Sequence, residues 1–119
     1  MVYTSYFSKQ AKQPVQDNMA YASIAVGLPK FDLPFELKHI TAVKPWGIFG
    51  KYHGEEYKQK YYERLDKIGV KRIFEAIQEA KGNKEHIVLM CYEKDWNGCH
   101  RKMFADWWQK QTGEIIEEI

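Results

Sequence analysis

The sequence predicts a single α/β domain over residues 1–119, with a small, open and mostly parallel sheet of three to four strands and helices on both faces. Two observations favour this class. Short apolar or β-branched runs alternate along the chain with longer stretches of helical periodicity, which is the pattern of strand–helix–strand units. One run, residues 87–91 (IVLMC), is apolar without interruption, as expected of a strand in a parallel sheet that is covered on both faces.

The first half of the chain predicts two strands and a long irregular segment. Residues 2–7 alternate β-branched and aromatic side chains, and residues 19–26 (MAYASIAV) are apolar, so each run predicts a strand. A polar connection over residues 8–18 joins them. Residues 27–45 contain three prolines at short spacing. Because proline lacks a backbone donor and disfavours helix before it, we expect an irregular excursion there.

The second half predicts helices on either side of the apolar strand. Residues 54–68 and 70–80 carry apolar side chains at helical spacing, and Gly69 separates them. Residues 99–112 predict a last helix, and residues 114–119 predict a final strand. The buried stripe of the last helix is expected to consist of Met103, Phe104, Trp107 and Trp108.

Composition and charge exclude several classes of function. The net charge of +2 comes from 18 basic and 16 acidic residues, which is too even for a nucleic-acid polymer as partner. No apolar run approaches the roughly 20 residues of a membrane span. The start of the chain lacks a signal-peptide pattern, and two cysteines do not make a secreted disulfide framework. We therefore expect a cytoplasmic protein with no membrane partner. The aromatic fraction of 15% indicates either an aromatic core or a homodimer interface.

The strand–loop–helix segment of residues 87–108 is the candidate functional centre. In open α/β sheets, ligands bind beyond the carboxyl ends of the strands. A helix N-terminus offers free N–H groups and a positive potential to an anion. Arg101, in the first turn of the predicted helix, adds a guanidinium fork that suits phosphate or carboxylate. We therefore expect a small anionic or nucleotide-derived ligand at residues 91–101.

Other side chains of this segment have expected roles toward that ligand. Glu93 is expected to accept a hydrogen bond from a hydroxyl or a base edge, and Tyr92 or Trp96 to stack on a ring. Asn97 is expected to cap the helix, and Gly98 to take a positive φ or to allow close approach of the ligand. The candidate ligand-binding residues are Arg101, Tyr92, Glu93, Trp96 and Gly98, together with Ser5 in the first strand.

The most specific motif combines Cys-Tyr-Glu-Lys at residues 91–94 with Cys-His-Arg at residues 99–101. This pairing resembles the family known as domain of unknown function 488. The opening at residues 2–8 (VYTSYFS), the strand at 23–26 (SIAV) and the tyrosine-rich residues 56–61 are also similar to that family. The resemblance implies a small α/β domain of bacteria, phages and other mobile elements, with no established reaction. In that setting we expect sequestration of a nucleotide signal.

A second class of function, a thiol-dependent hydrolase or transferase, uses the same segment. Cys99 at the helix start, beside Arg101, is expected to have a lowered pKa and to act as a nucleophile. His100 would serve as base or proton donor, and Glu93 would orient either one. Neither Cys91 nor Cys99 stands at the distance from Arg101 that the phosphate-binding loops of cysteine phosphatases require. Cys91, inside the apolar strand, is expected to be inert.

Cys91, Cys99 and His100 are also of metal-ligating type. A zinc site usually has four ligands, and the segment shows no second close pair. The missing ligands would have to come from His39, His53 or His86. We therefore expect neither a metal nor another cofactor, and a disulfide between the two cysteines is disfavoured in a reducing compartment.

A structural role is the third alternative. Cys91 would then be a core residue, Glu93 and Arg101 would form an internal salt bridge, and His100 would extend the buried stripe of the last helix. An interaction protein would instead expose Trp107 and Trp108 and use them to form a homodimer.

Overall fold

Five strands form one sheet in the computed structural model, which describes all of residues 1–119. The strands are β1 (Val2–Tyr6), β2 (Met19–Ser23), β3 (Leu37–His39), β4 (His86–Cys91) and β5 (Glu117–Glu118). All neighbouring strands are parallel, in the order β3-β2-β4-β1-β5, so β4 lies at the centre. The predicted class, an open parallel α/β sheet, is confirmed, with one strand more than the upper number expected.

Four α-helices accompany the sheet. They are α1 (Phe7–Ala11), α2 (Gly54–Ile68), α3 (Val70–Lys81) and α4 (His100–Thr112). The predicted separation of α2 from α3 is confirmed at Gly69, whose φ of 90° belongs to the region that favours glycine. None of these helices combines the length and the apolar character that crossing a membrane requires.

Two elements lie where we expected only irregular chain. Helix α1 occupies part of the predicted polar connection, and at five residues it is too short to show a helical period. Strand β3 and a 3₁₀ turn at Thr41–Val43 lie inside the proline-containing excursion. Strand β3 is an edge strand in which Leu37 is half-buried and the next two residues are exposed, so it carries no apolar run.

The strands alternate their side chains between two cores, one on each face of the sheet. Ile87 and Leu89 of β4 belong to a core that the three long helices cover, whereas Val88 and Met90 belong to the opposite one. Phe7, at the start of α1, packs into that second core. The helices therefore lie on both faces, but unevenly, since a single short helix serves the second face. This double burial explains the uninterrupted apolar run of β4.

The two adjacent tryptophans of α4 are both core residues. Trp107 is 5% exposed and Trp108 is 2% exposed. Their indole N–H groups donate to Asp66 at 2.8 Å and to Glu114 at 2.6 Å. The predicted buried stripe is confirmed at these positions, and the two tryptophans are not exposed as the dimer alternative required.

Candidate functional site

The candidate site lies at the carboxyl end of β4, where the chain enters α4. Cys91 is the last residue of β4, Glu93 lies in the following loop, Cys99 is the N-cap of α4 and His100 is its first residue. One sulfur, nitrogen or oxygen atom from each of these side chains lies within 4.8 Å of the others. The structure thus brings Cys99, His100 and Glu93 together, as the motif indicated, and adds Cys91 to them.

The orientation of His100 is set by a backbone carbonyl far away in the sequence. Its Nε2 lies 2.7 Å from the carbonyl oxygen of Ile24. Because a carbonyl only accepts, Nε2 carries the proton, and the unprotonated Nδ1 lies 3.9 Å from Cys99 Sγ. Burial is the main cause that lowers the pKa of His100, so the ring is neutral near pH 7. The Tyr61 ring packs edge-on against it, with centroids 5.8 Å apart.

Tyr61 supports this imidazole through a buried hydrogen bond of its own. Its side chain is fully buried, and its hydroxyl donates to the Val43 carbonyl at 2.6 Å. We expect Tyr61→Phe to lower the free energy of unfolding by about 1–2 kcal/mol, because a buried acceptor is left unpaired. Urea unfolding measures this loss. Tyr57→Phe, one turn earlier on α2, is the matched control, and equal losses in both variants would contradict the assignment.

Both cysteines are buried, and their sulfurs are in direct contact as a Cys91–Cys99 disulfide pair, which the sequence had been expected to disfavour. Cys91 is 0% exposed and Cys99 is 1% exposed. Cys99, the expected nucleophile, is thus nearly as buried as Cys91, because both side chains pack into the same core. Cys99 Sγ lies 3.4 Å from Glu93 Oε2 and accepts the N-capping hydrogen bond from the backbone N–H of Arg101.

Arg101 is completely buried, and the protein itself binds its guanidinium group. Nε and Nη2 donate to the Glu118 carboxylate at 3.0 and 2.8 Å. The remaining N–H groups donate to Cys91 Sγ and to the carbonyls of Glu93 and Lys94. All five donors thus have partners within the chain. The expected Glu93–Arg101 salt bridge is wrong, since the carboxylate partner is Glu118 and Glu93 contributes only its carbonyl.

The helix start differs from the expected cap. Cys99, not Asn97, is the N-cap, and the backbone N–H of Asn97 donates to Asp95 Oδ1 at 3.0 Å. Gly98 does not have a positive φ, so of its two expected roles the positive φ is wrong, and close approach of a ligand stays a prediction. A Cβ added at Gly98 would contact only Asp95 Oδ2, at 3.9 Å.

A cleft of about 640 Å³ opens beside Glu93 and His100. One wall is formed by residues 49–53 and the start of α2, and the other by the loop after β4 and the start of α4. The lining includes Phe49, Tyr52, His53, Tyr57 and Lys58 on the first wall, and Glu93, Gly98, His100, Lys102 and Asp106 on the second. Of the predicted residues, Glu93, Gly98 and His100 line this cleft.

Three other predicted ligand residues lie outside the cleft. Tyr92 packs edge-on against Phe7, with centroids 5.2 Å apart. Lys102 Nζ lies 4.9 Å from the ring centre of Trp96. Ser5 is buried in β1, where its hydroxyl donates to the carbonyl of Ile119 at 2.8 Å. Tyr92, Trp96 and Ser5 therefore contact other residues of the protein and do not line the cleft.

The first wall of the cleft was missed by the sequence reasoning. Its residues lie about forty positions before the motif; residues 49–53 were assigned to no element, and the rest only to an amphipathic helix. A signal was present in residues 49–58, FGKYHGEEYK, where aromatic, glycine, histidine and lysine residues are concentrated just before and within a helix start. Glu118 has no such signal, because it is one of several acidic residues near the end of the chain.

Comparison with known proteins gives one match. Residues 37–108, which are 72 of the 119 residues, match the family described as domain of unknown function DUF488. Neither a curated protein nor a solved structure matches the chain. The matched segment runs from the start of β3 to Trp108 of α4 and includes the whole cleft. The chain therefore belongs to the DUF488 family.

Proposed function

We propose that the protein is a cytoplasmic binder of a small anionic, nucleotide-derived molecule, which occupies the cleft between the starts of α2 and α4. The observation that carries this proposal is the cleft itself. Its volume of about 640 Å³ lies within the roughly 300–1,000 Å³ of small-molecule sites. The motif residues Glu93 and His100 line it. Sequestration of a nucleotide signal is the activity that such binding provides in a mobile element.

The anionic part of the ligand is recognised by helix starts and lysines. His53 and Gly54, at the N-terminus of α2, line the cleft together with Gly98 and His100 at the start of α4. Both helix starts direct positive potential toward the space between them. Lys58, which is half-buried and forms no salt bridge, supplies a cation on the α2 side. This role replaces the one expected of Arg101.

Acidic and aromatic groups in the same cleft suit the rest of a nucleotide. Glu93 is exposed and can accept hydrogen bonds from a ribose hydroxyl or a base amino group. Phe49 is 58% exposed and offers a ring for stacking. Burial, and then the nearby Glu93 carboxylate, raise the pKa of Tyr57 to about 12, so its phenol remains a donor. A ligand that carries both an anionic group and neutral hydrogen-bond donors matches a cleft lined by cationic, acidic and aromatic groups.

Thermal shift and calorimetry with defined probes test the proposal. Adenosine monophosphate is expected to raise the melting temperature more than adenosine or inorganic phosphate does, because it engages both parts of the cleft. Lys58→Ala should weaken its binding about tenfold, the scale of one charge-assisted contact. Lys71→Ala, an exposed lysine on α3, is the matched control. No response to any nucleotide, or equal weakening by both lysine variants, would contradict the proposal.

A substitution at Gly98 tests the location of the site without altering the fold. Gly98→Val should leave the melting temperature within about 1 °C, since the φ is ordinary and a Cβ meets only Asp95 Oδ2 at 3.9 Å. The added methyl groups project at the cleft wall and should reduce binding of adenosine monophosphate at least about tenfold. Calorimetry beside a melting curve separates the two effects. Unchanged affinity would place the ligand elsewhere.

A thiol-dependent hydrolase or transferase is the second candidate, and one observation favours it. The unprotonated Nδ1 of His100 faces Cys99 Sγ at 3.9 Å, and Glu93 Oε2 lies 3.4 Å from the same sulfur. A base thus lies beside a candidate nucleophile, and the Ile24 carbonyl orients that base through Nε2. It ranks second because Cys99 is 1% exposed and lies against Cys91. Alkylation of Cys99 by iodoacetamide faster than that of free cysteine, in reduced protein, would favour it over simple binding.

A further inference from the structure

Four side chains of metal-ligating type meet at the carboxyl end of β4. Donor atoms of Cys91, Glu93, Cys99 and His100 lie within 4.8 Å of one another. A tetrahedral zinc ion, with bonds of about 2.3 Å to sulfur and 2.0–2.1 Å to nitrogen or oxygen, separates its ligands by about 3.3–3.8 Å. The donors thus lie near that spacing, apart from the two sulfurs, which are in direct contact and must separate to admit an ion. The sequence analysis expected any further ligand to come from a distant histidine. In the structure, the fourth donor is Glu93.

The histidine of the cluster is oriented as a metal ligand. Histidines that bind metals almost always donate their second ring N–H to a carbonyl or a carboxylate. Nε2 of His100 forms this contact with the Ile24 carbonyl at 2.7 Å. Its Nδ1 is left facing Cys99 Sγ, so the lone pair points at the centre of the cluster.

The two sulfurs also accept N–H hydrogen bonds, as metal-bound thiolates do. Cys91 Sγ accepts from Nη1 of Arg101 at 3.2 Å, and Cys99 Sγ accepts from the backbone N–H of Arg101 at 3.5 Å. Such donors stabilise negative charge on sulfur. The Cα atoms of the two cysteines are 7.9 Å apart, which is wider than the roughly 4.4–6.8 Å usual for a disulfide. Reduction of the pair frees both sulfurs, and the wide Cα spacing then leaves room for an ion between them.

We propose that Cys91, Cys99, His100 and Glu93 bind one zinc ion at the floor of the cleft. Thiolate ligands select zinc over magnesium or calcium, which prefer oxygen. In the reduced protein, binding converts the two thiols to thiolates and releases their protons to solvent. Cys91, Cys99 and His100 are buried, whereas Glu93 is exposed. Glu93 therefore holds the ligand position that faces the cleft.

Cobalt substitution tests the site directly and without any assay of ligand binding. The full chain is kept reduced with a phosphine and titrated with Co²⁺. We expect saturation at one ion per chain, with a thiolate-to-cobalt charge-transfer band in the near ultraviolet and the intense visible bands of tetrahedral cobalt. Zinc should displace the cobalt. Absence of the charge-transfer band in reduced, folded protein would overturn the proposal, whatever the outcome of the nucleotide experiments.

Three variants assign the ligands. Cys99→Ser should weaken zinc binding more than about 100-fold in competition with a chromophoric chelator, beyond the 10–100-fold typical of changes around the ligands. Glu93→Gln, at an exposed position that tolerates substitution, should keep the charge-transfer band and weaken binding about tenfold. His86→Asn, at the far end of β4, is the histidine control and should bind as the parent does. Parental affinity in both Cys99→Ser and Glu93→Gln would overturn the assignment.

Discussion

Replacing Arg101 with alanine is expected to lower the free energy of unfolding by about 3–5 kcal/mol, the range seen when one partner of a buried ion pair is removed. The side chain is 0% exposed, and its five N–H groups have partners within the chain. The variant leaves Glu118 without its cation, two carbonyls without donors and a cavity where the guanidinium lay. Urea unfolding followed by circular dichroism measures the loss.

Two further variants show which contacts of Arg101 account for the lost free energy of unfolding. Glu118→Gln retains an acceptor for the guanidinium but removes the charge, so it should cost less than Arg101→Ala. Arg101→Lys keeps the charge but cannot span Glu118 and the loop carbonyls together, so it should rescue only part of the loss. A free energy of unfolding within about 0.5 kcal/mol of the parent in Arg101→Ala would show that the guanidinium is not a structural partner. It would then be available to a ligand, as the sequence suggested.

Trp108→Ala is expected to destabilise the protein by about 3–5 kcal/mol, the range for truncating a large buried aromatic side chain. Trp108 is 2% exposed, stacks on Phe104 with ring centroids 5.7 Å apart and donates to Glu114. Thermal or urea unfolding measures the loss. Trp46→Ala is the matched control, since Trp46 is 45% exposed and should change stability by less than about 1 kcal/mol.

The same pair of variants separates a core role from a dimer interface. If Trp108 stabilises only the core, its effect on the melting temperature should not depend on protein concentration. A destabilisation that disappears on dilution, together with a change in sedimentation between parent and variant, would instead show that Trp108 contacts a second copy of the chain.

The spacing of apolar residues was sufficient to predict those elements in which one pattern of burial continues along the whole length. The run at residues 87–91 is apolar because the central strand is covered on both faces, and α2 and α3 each bury one stripe. In these elements, the residue types alone indicate which positions are buried. Strand β3 is an edge strand with mostly exposed side chains, so hydrogen bonding to β2 forms it and the sequence carries no pattern that predicts it.

The proximity of the motif residues also followed from the sequence. Cys91, Glu93, Cys99 and His100 span ten positions across one strand–loop–helix junction. A short loop that joins a strand to the helix packed beside it returns the chain to the end of that strand, so these side chains must lie close together. Their mutual distances depend on the loop path, which local pattern does not specify.

By itself, the sequence determined the parallel α/β class, the long helices, the central strand and the junction that holds the motif. Only the tertiary structure decided what each group at that junction contacts. Arg101 is paired with Glu118 because β5 returns beside β1, and His100 is oriented by Ile24 because β2 ends next to β4. The first wall of the cleft comes from the start of α2, far from the motif in the sequence. These contacts join segments distant along the chain, and only the packing of the whole sheet brings them together.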